Sequence, residues 1–183
     1  MSYKNENMKM IELHENGLDI QFRIRENGVV ELADFSSQEV KKAVMEPKDD
    51  ICYPAVEIHR SGTGSLNMHA YKNNINQSSV DFVYENHELK AQAGGKELEI
   101  VMISPEKLKA VYHMRLFDGV PTVQTWTEII NEGSEDQGLT YVSSFMYQGI
   151  SRGGEKPYYK KTDIYVPFNS WCCEAQWQKY DAE

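Results

Sequence analysis

The segment 166–183, VPFNSWCCEAQWQKYDAE, concentrates side chains that could contact a ligand. Trp171 and Trp177 are two of the chain's three tryptophans, and Glu174 lies between them. Indole rings stack on the apolar faces of pyranose sugars, while carboxylate and amide groups, such as that of Gln176, bind the sugar hydroxyls. The same aromatic residues also suit the core of a β-sheet protein. The segment therefore predicts either a sugar contact or a packing surface.

Neither the cysteines nor the histidines form a recognised metal-ligand pattern. Of the three cysteines, Cys172 and Cys173 are adjacent, which disfavours a disulfide between them, and no Cys-x-x-Cys pair occurs. His59 and His69 flank the glycine-rich stretch 61–65 and could face each other across a hairpin, but zinc would require a third ligand there. We therefore expect reduced thiols, no bound metal and no other cofactor.

The sequence contains no catalytic motif that would assign a reaction. It has no phosphate-binding Gly-x-x-x-x-Gly-Lys run and no Gly-x-Ser-x-Gly nucleophile elbow. The stretch Ser61-Gly62-Thr63-Gly64-Ser65 is rich in glycine but opens no predicted helix, so it is typical of a surface turn. The 28 acidic residues offer many carboxylate pairs, and glycoside hydrolysis depends on a separation that only the fold sets.

β-Strands must position these residues, because apolar and polar residues alternate along much of the chain. Every second residue of 18–25 is apolar, and Asn27-Gly28 predicts a hairpin turn into a return strand over 29–35. A longer pair is predicted over 108–116 and 123–130, joined by a turn at Asp118-Gly119. Further strands are predicted over residues 79–84, 97–103, 139–147 and 163–166.

These strands predict an all-β fold, an antiparallel β-sandwich in which two sheets pack on each other. The capping-box pattern of residues 36–39 is typical of a helix start, and the stretch after it is expected to form either one or two helical turns or an ordinary loop. The chain has 183 residues, of which 40% are apolar, so a single domain with a sizeable core is expected.

Charge and hydropathy limit the partners that this chain could have. The net charge is −9, from 19 basic and 28 acidic residues, and such a surface repels nucleic acid. No apolar stretch is long enough to span a bilayer, and residues 1–7 lack the apolar run of a signal peptide. We therefore expect a cytoplasmic protein that binds neither nucleic acid nor membrane.

Three blocks of the sequence resemble the N-terminal domain of bacterial glycoside hydrolase family 36 α-galactosidases. Residues 162–180, TDIYVPFNSWCCEAQWQKY, are similar to the family's Asn-Ser-Trp-Cys-x-Glu-x-Gln-Trp run. Residues 53–71 are similar to its Tyr-Pro…Gly-Thr-Gly-Asp loop, and residues 123–144 to one of its strand–turn–strand units. The blocks follow the family's order and are spread along the chain from residue 53 to residue 180.

The resemblance implies a β-supersandwich of the galactose-mutarotase type over residues 1–183, which in the family precedes a (β/α)8 barrel with both catalytic aspartates. No βαβ pattern occurs in this chain, so the resemblance implies an inactive N-terminal part of a larger, retaining enzyme, truncated before its barrel. The acid of the family's loop, which can hold a sugar hydroxyl, is matched here by the uncharged Ser65. The implied substrate contacts are Gly64, Ser65, Asn67, His69, Trp171, Glu174 and Trp177.

The expected partners are an α-galactoside or another oligosaccharide, the C-terminal catalytic barrel and a second copy of this chain. Self-association is expected because a sandwich cut at residue 183 would expose a sheet edge or an apolar face. A free-standing carbohydrate-binding module is the main alternative. A sugar epimerase of the mutarotase superfamily is another, in which His59 or His69 would act with Glu174 as acid and base.

Overall fold

The structure is a computed structural model that describes residues 9–37, 53–64, 77–147 and 163–181. The chain divides into two compact units: a main unit of residues 1–39 and 46–148, and a hairpin unit of residues 40–45 and 149–183. The elements in chain order are β1 Lys9–Glu15, β2 Leu18–Ile24, β3 Val30–Ser37, β4 Ile58–Arg60, α1 Gln77–Val80, β5 Val83–Gln92, β6 Gly95–Ile103, β7 Leu108–Phe117, β8 Val120–Asn131, β9 Leu139–Val142, β10 Asp163–Ser170 and β11 Cys173–Asp181. Within the described residues no helix is long and apolar enough to cross a membrane.

The first sheet of the main unit has three strands in the order β1-β2-β3, and both of its pairs are antiparallel. The predicted turn at Asn27-Gly28 is confirmed, because the Arg25 N–H donates to the Val29 carbonyl at 2.9 Å across it. Gly28 has a φ of +86°, and a Cβ added there would lie 2.9 Å from the Val83 Cβ. Both the backbone conformation and the close approach therefore require glycine at this turn.

The second sheet is an antiparallel meander of four strands in the order β5-β6-β7-β8. Strand β7 has 10 residues and β8 has 12, which confirms the predicted long pair. Gly119 has a φ of +71° in the turn between them, as the Asp118-Gly119 pattern predicts. A third, short sheet pairs β4 with β9.

The core of the main unit is formed by side chains from both larger sheets. Leu98, Ile100 and Met102 alternate along β6 and are buried, and the residues between them face the other way. The rings of Phe22 in β2 and Tyr112 in β7 meet edge to face, with centroids 5.7 Å apart. The predicted all-β, sandwich-like architecture is thereby confirmed.

The predicted strand over residues 79–84 is wrong in its first half. Residues 77–80 form α1, and β5 begins only at Val83. Ser78 and Ser79 are buried, and both hydroxyls donate to the Ile58 carbonyl, while the Ile58 N–H donates to the Ser79 hydroxyl at 2.8 Å. The serines thus satisfy the backbone of the short strand β4, a role that apolar alternation does not reveal.

Other boundaries also differ from the sequence-based prediction. Strand β9 ends at Val142, earlier than predicted, and β10 continues to Ser170. The alternation analysis did not predict β1, β4 or β11, nor most of β5. Ser36 and Ser37 lie in β3, and the helix or loop expected after the capping box lies outside the described residues.

Replacing Phe22 by alanine should lower the free energy of unfolding by about 3–5 kcal/mol, because the variant loses aromatic contacts and leaves a cavity between the two sheets. Urea denaturation followed by far-UV circular dichroism measures this change. Gln21→Ala is the matched control from the opposite face of β2, with an expected loss below about 1 kcal/mol. Equal losses in the two variants would contradict a core centred on Phe22.

Candidate functional site

The aromatic residues of the segment 166–183 lie in the hairpin unit, where β10 and β11 form an antiparallel pair. The chain turns at Trp171 and Cys172, and Cys172 adopts a positive φ of 62°. The Asn169 side-chain oxygen accepts a hydrogen bond of 2.8 Å from the Ala175 N–H, which fixes the tip of the hairpin. Cys172 and the adjacent Cys173 are free, exposed thiols.

The hairpin presents its large apolar side chains to solvent. Trp171 is 94% exposed and Trp177 is 65% exposed, and Glu174 between them is also exposed. Trp177 pairs with Pro167 and therefore shares a face of the hairpin with it. Phe168 and Tyr180 lie on the opposite face, with ring centroids 6.4 Å apart. Aromatic surface is thus available on both faces and at the tip.

The glycine-rich loop is only partly described. Gly62 has a φ of +82°, the Thr63 N–H donates to the Arg60 carbonyl at 3.2 Å, and the Gly64 carbonyl accepts from the Gln77 N–H at 3.0 Å. Residues 61–64 therefore form a turn between β4 and α1. The predicted contacts Ser65, Asn67 and His69 lie outside the described residues.

His59 lies on β4 and contacts a buried acid, Glu57, which immediately precedes this strand. Its Nε2 is 3.0 Å from Glu57 Oε1, and its ring is 5.1 Å from that of Tyr141. Among the described residues, Glu57 and Tyr141 contact this imidazole. His59 belongs to the main unit and Glu174 to the hairpin unit, so the epimerase pair stays a prediction.

A second candidate site lies on the face of the β5–β8 sheet opposite the core, here called the outer face. Glu97 and Glu99 in β6 and His113 in β7 form what we call the outer-face cluster, with ligand atoms all within 4.8 Å of one another. His113 Nδ1 is 3.0 Å from Glu97 Oε1 and 3.9 Å from Glu99 Oε1. Glu97 and His113 are each only 8% exposed.

Neighbouring strands hold each member of the outer-face cluster. The Trp126 ring in β8 stacks on the His113 imidazole, with centroids 4.6 Å apart and planes 5° apart. On β5, Gln92 donates to Glu97 Oε2 at 3.4 Å, and Lys90 donates to Glu99 Oε2. Both glutamates therefore turn their other oxygen, Oε1, towards the same imidazole nitrogen.

This cluster is not evident from the sequence alone. The signal that could have found it is the β6–β7 register, in which Glu99 lies directly opposite His113 and Leu98 opposite Met114. Polar residues on one face of two adjacent strands look like ordinary solvent-facing positions until the strands are paired. The burial of Glu97 and His113 distinguishes them from such positions.

No known protein-family model matches this chain, and a search of curated proteins finds no match to its sequence. The resemblance to family 36 glycoside hydrolases therefore depends on the three sequence blocks alone. The geometry of the hairpin unit and of the outer-face cluster defines the two candidate sites.

Two lysines on this sheet should have a pKa above the usual lysine range, each chiefly because of one hydrogen-bonded glutamate. The hydrogen bond to Glu99 raises the pKa of Lys90, and the hydrogen bond to Glu132 raises the pKa of Lys109. Glu99→Gln should lower the pKa of Lys90 towards its usual value and leave that of Lys109 unchanged. Glu132→Gln should do the reverse.

Titration of the lysine side-chain NMR signals measures both pKa values in each variant. The two variants control for each other, because each removes one carboxylate that contacts a lysine of the same sheet. A Lys90 pKa that stays high in the Glu99 variant would show that this ion pair does not form in solution.

Proposed function

We propose that this chain is a non-catalytic β-sandwich domain of an α-galactosidase-like glycoside hydrolase of the cytoplasm. Its function is to shape a sugar site, to contact the catalytic barrel and to form subunit contacts. The observation that carries the proposal is the hairpin unit, whose exposed Trp171 and Trp177 lie in the block that resembles the family. The antiparallel β-architecture of the main unit agrees with it.

The energetics of the hairpin unit support a docking role. A two-stranded hairpin alone is at best marginally stable in water, and large exposed apolar patches mark interaction surfaces. Side chains that are at least 40% exposed occur on both strands and at the tip, namely Ile164, Tyr165, Phe168, Trp171, Trp177 and Tyr180. Covering the two indoles would remove about 150–250 Å² of surface each from water. Burial of apolar surface is favourable by roughly 25 cal/mol per Å². A partner that covers them would therefore stabilise the hairpin.

The coding sequence downstream of Glu183 tests the enzyme-domain proposal directly. An in-frame (β/α)8 barrel with aspartates at the ends of two strands is the expected result, since those carboxylates would act as nucleophile and acid/base. A stop codon immediately after Glu183 would overturn the proposal. The chain alone should release no product from an α-galactoside.

A free-standing carbohydrate-binding module is the second candidate, favoured by the exposed carboxylate of Glu174 between two exposed indoles. Such a module would bind an α-galactoside or another oligosaccharide by ring stacking and hydroxyl contacts. It would require no partner domain. Sugar affinity of the chain by itself therefore separates it from the first candidate.

Isothermal titration with galactosides, raffinose and unrelated oligosaccharides measures that affinity. The enzyme-domain proposal expects no heat of binding to the chain alone. If sugar does bind, Trp177→Ala should weaken it by about 1–3 kcal/mol, the usual stabilisation from burying a large apolar side chain. Val120→Ala, at an exposed apolar position in the main unit, is the control and should leave the affinity unchanged. Measurable affinity that depends on Trp177 would favour the module instead.

Self-association of the chain should depend on the same hairpin. We expect dimers or larger species by light scattering, because the apolar side chains of the hairpin unit are exposed. The double variant Trp171→Ala/Trp177→Ala should shift the distribution towards monomer, whereas Val120→Ala should not. A wild-type chain that is monomeric at high concentration would contradict this expectation.

A further inference from the structure

We propose that the outer-face cluster binds a divalent cation of the Zn²⁺ class through His113 Nδ1, Glu97 Oε1 and Glu99 Oε1. This site is separate from the sugar contact and the docking role proposed above, and it does not depend on them. It also departs from the sequence-based expectation that the chain binds no metal. The separation of the ligand atoms, the hydrogen-bonding state of the imidazole and the surroundings of the carboxylates each support it.

The ligand atoms are already spaced for a small ion. Two ligand atoms about 2.1 Å from a tetrahedral zinc are about 3.4 Å apart. The distances from His113 Nδ1 to Glu97 Oε1 and Glu99 Oε1, 3.0 and 3.9 Å, lie on either side of that value. Small rotations of two side chains would therefore complete three ligand positions, and water would take the fourth.

Both ring nitrogens of His113 face hydrogen-bond acceptors, and a bound cation would remove this conflict. Glu97 at 3.0 Å offers only an acceptor, so a neutral His113 carries its proton on Nδ1 and leaves Nε2 as an acceptor. Nε2 is buried and has no hydrogen-bond partner, and the group that faces it is Glu128 Oε2, another acceptor, at 3.8 Å. Such a buried, unsatisfied nitrogen is unfavourable.

A cation at Nδ1 would place the ring proton on Nε2, which would then face the Glu128 carboxylate as a donor, 3.8 Å from Oε2. Metal-binding histidines in proteins commonly donate their second ring N–H to a carboxylate in this way. Trp126 stacks on the ring and restricts its rotation, which keeps Nδ1 directed at the two glutamates. Glu128 and Trp126 would therefore be positioning residues, and the three ligands come from β6 and β7.

The two ligand carboxylates are only partly neutralised by the side chains that hold them. Lys90 contacts Glu99, but Gln92, which contacts Glu97, carries no charge. Arg115 lies opposite Glu97 in the register, yet its guanidinium donates to the Ala93 carbonyl at 3.2 Å. Since a buried carboxylate is costly without a positive partner, a cation between Glu97 and Glu99 would offset this cost.

The donor set selects the class of metal. One imidazole nitrogen and two carboxylate oxygens suit Zn²⁺ and neighbouring transition metals. Ca²⁺ and Mg²⁺ prefer sites made of oxygen ligands alone. We therefore expect Zn²⁺ to bind with one ion per chain and Ca²⁺ and Mg²⁺ to give no measurable binding.

Isothermal titration of zinc chloride into the full chain, freed of metal with a chelator, tests the site. All variants carry Cys52→Ser, Cys172→Ser and Cys173→Ser, so that thiolates cannot bind the ion. Glu99→Gln should weaken Zn²⁺ binding at least about tenfold, because it removes a charged ligand. Glu88→Gln is the matched control. Glu88 lies opposite Glu99 in the β5–β6 pairing and contacts Lys90, but its side chain is 68% exposed. Its replacement should therefore change the Zn²⁺ affinity by no more than about twofold.

The positioning role of Glu128 has its own readout. Glu128→Gln should weaken Zn²⁺ binding about tenfold, within the range seen for such second contacts. Nitrogen NMR of His113 should show Nδ1 metal-bound and Nε2 protonated in the zinc-loaded chain. Circular dichroism confirms that each variant is folded.

Two results would overturn the proposal. One is the absence of zinc binding in a folded, cysteine-free chain. The other is zinc binding that Glu99→Gln and Glu128→Gln leave unchanged, which would place the ion elsewhere. Neither result bears on the coding-sequence test of the enzyme-domain proposal.

Discussion

The register between β6 and β7 is the constraint on which the rest of the main unit depends. It pairs Leu98 with Met114 and Ile100 with Tyr112, which places four buried side chains on the face that meets the first sheet. Because side chains alternate along a strand, a slip of one residue would turn the apolar side chains of the shifted strand outwards. The apolar core therefore fixes the register, and the register brings Glu99 directly opposite His113.

That coupling explains why a polar cluster can persist on the outer face of the sheet. Glu97 and His113 cannot separate without disrupting the strand pairing that also buries Leu98 and Met114 on the opposite face of the sheet. Burial of the core side chains on the other face of the same strands stabilises the register, and the register sets the spacing of these two residues. A site that relies on strands in this way is positioned more rigidly than one on loops.

The sequence predicts the parts of the fold in which local pattern and turn chemistry agree. The long β7–β8 pair and the Asn27-Gly28 hairpin are such cases, since alternation and a glycine at positive φ point to the same structure. The short helix α1 could not be predicted from apolar alternation. Ser78 and Ser79 are polar, and their burial depends on hydrogen bonds to Ile58 in β4.

The outer-face cluster could be predicted only by pairing strands. Glu97, Glu99 and His113 are each typical of a solvent-facing strand position, and their proximity follows from the antiparallel register. The tryptophans of the hairpin unit, by contrast, are visible as a cluster in the sequence itself. The sequence does not predict that these tryptophans are exposed to solvent, since aromatic residues are usually found in a core.

The two candidate sites therefore differ in what stabilises them. Glu97 and His113 are buried polar side chains, and a cation bound between them would lower the free-energy cost of their burial. Trp171 and Trp177 are exposed apolar surface, and their free energy improves when a sugar or a protein partner removes them from water. The two sites are complementary to different ligands, since two carboxylates and an imidazole suit a cation and exposed indoles suit an apolar surface. The chemistry of the side chains thus favours two separate ligands for this chain.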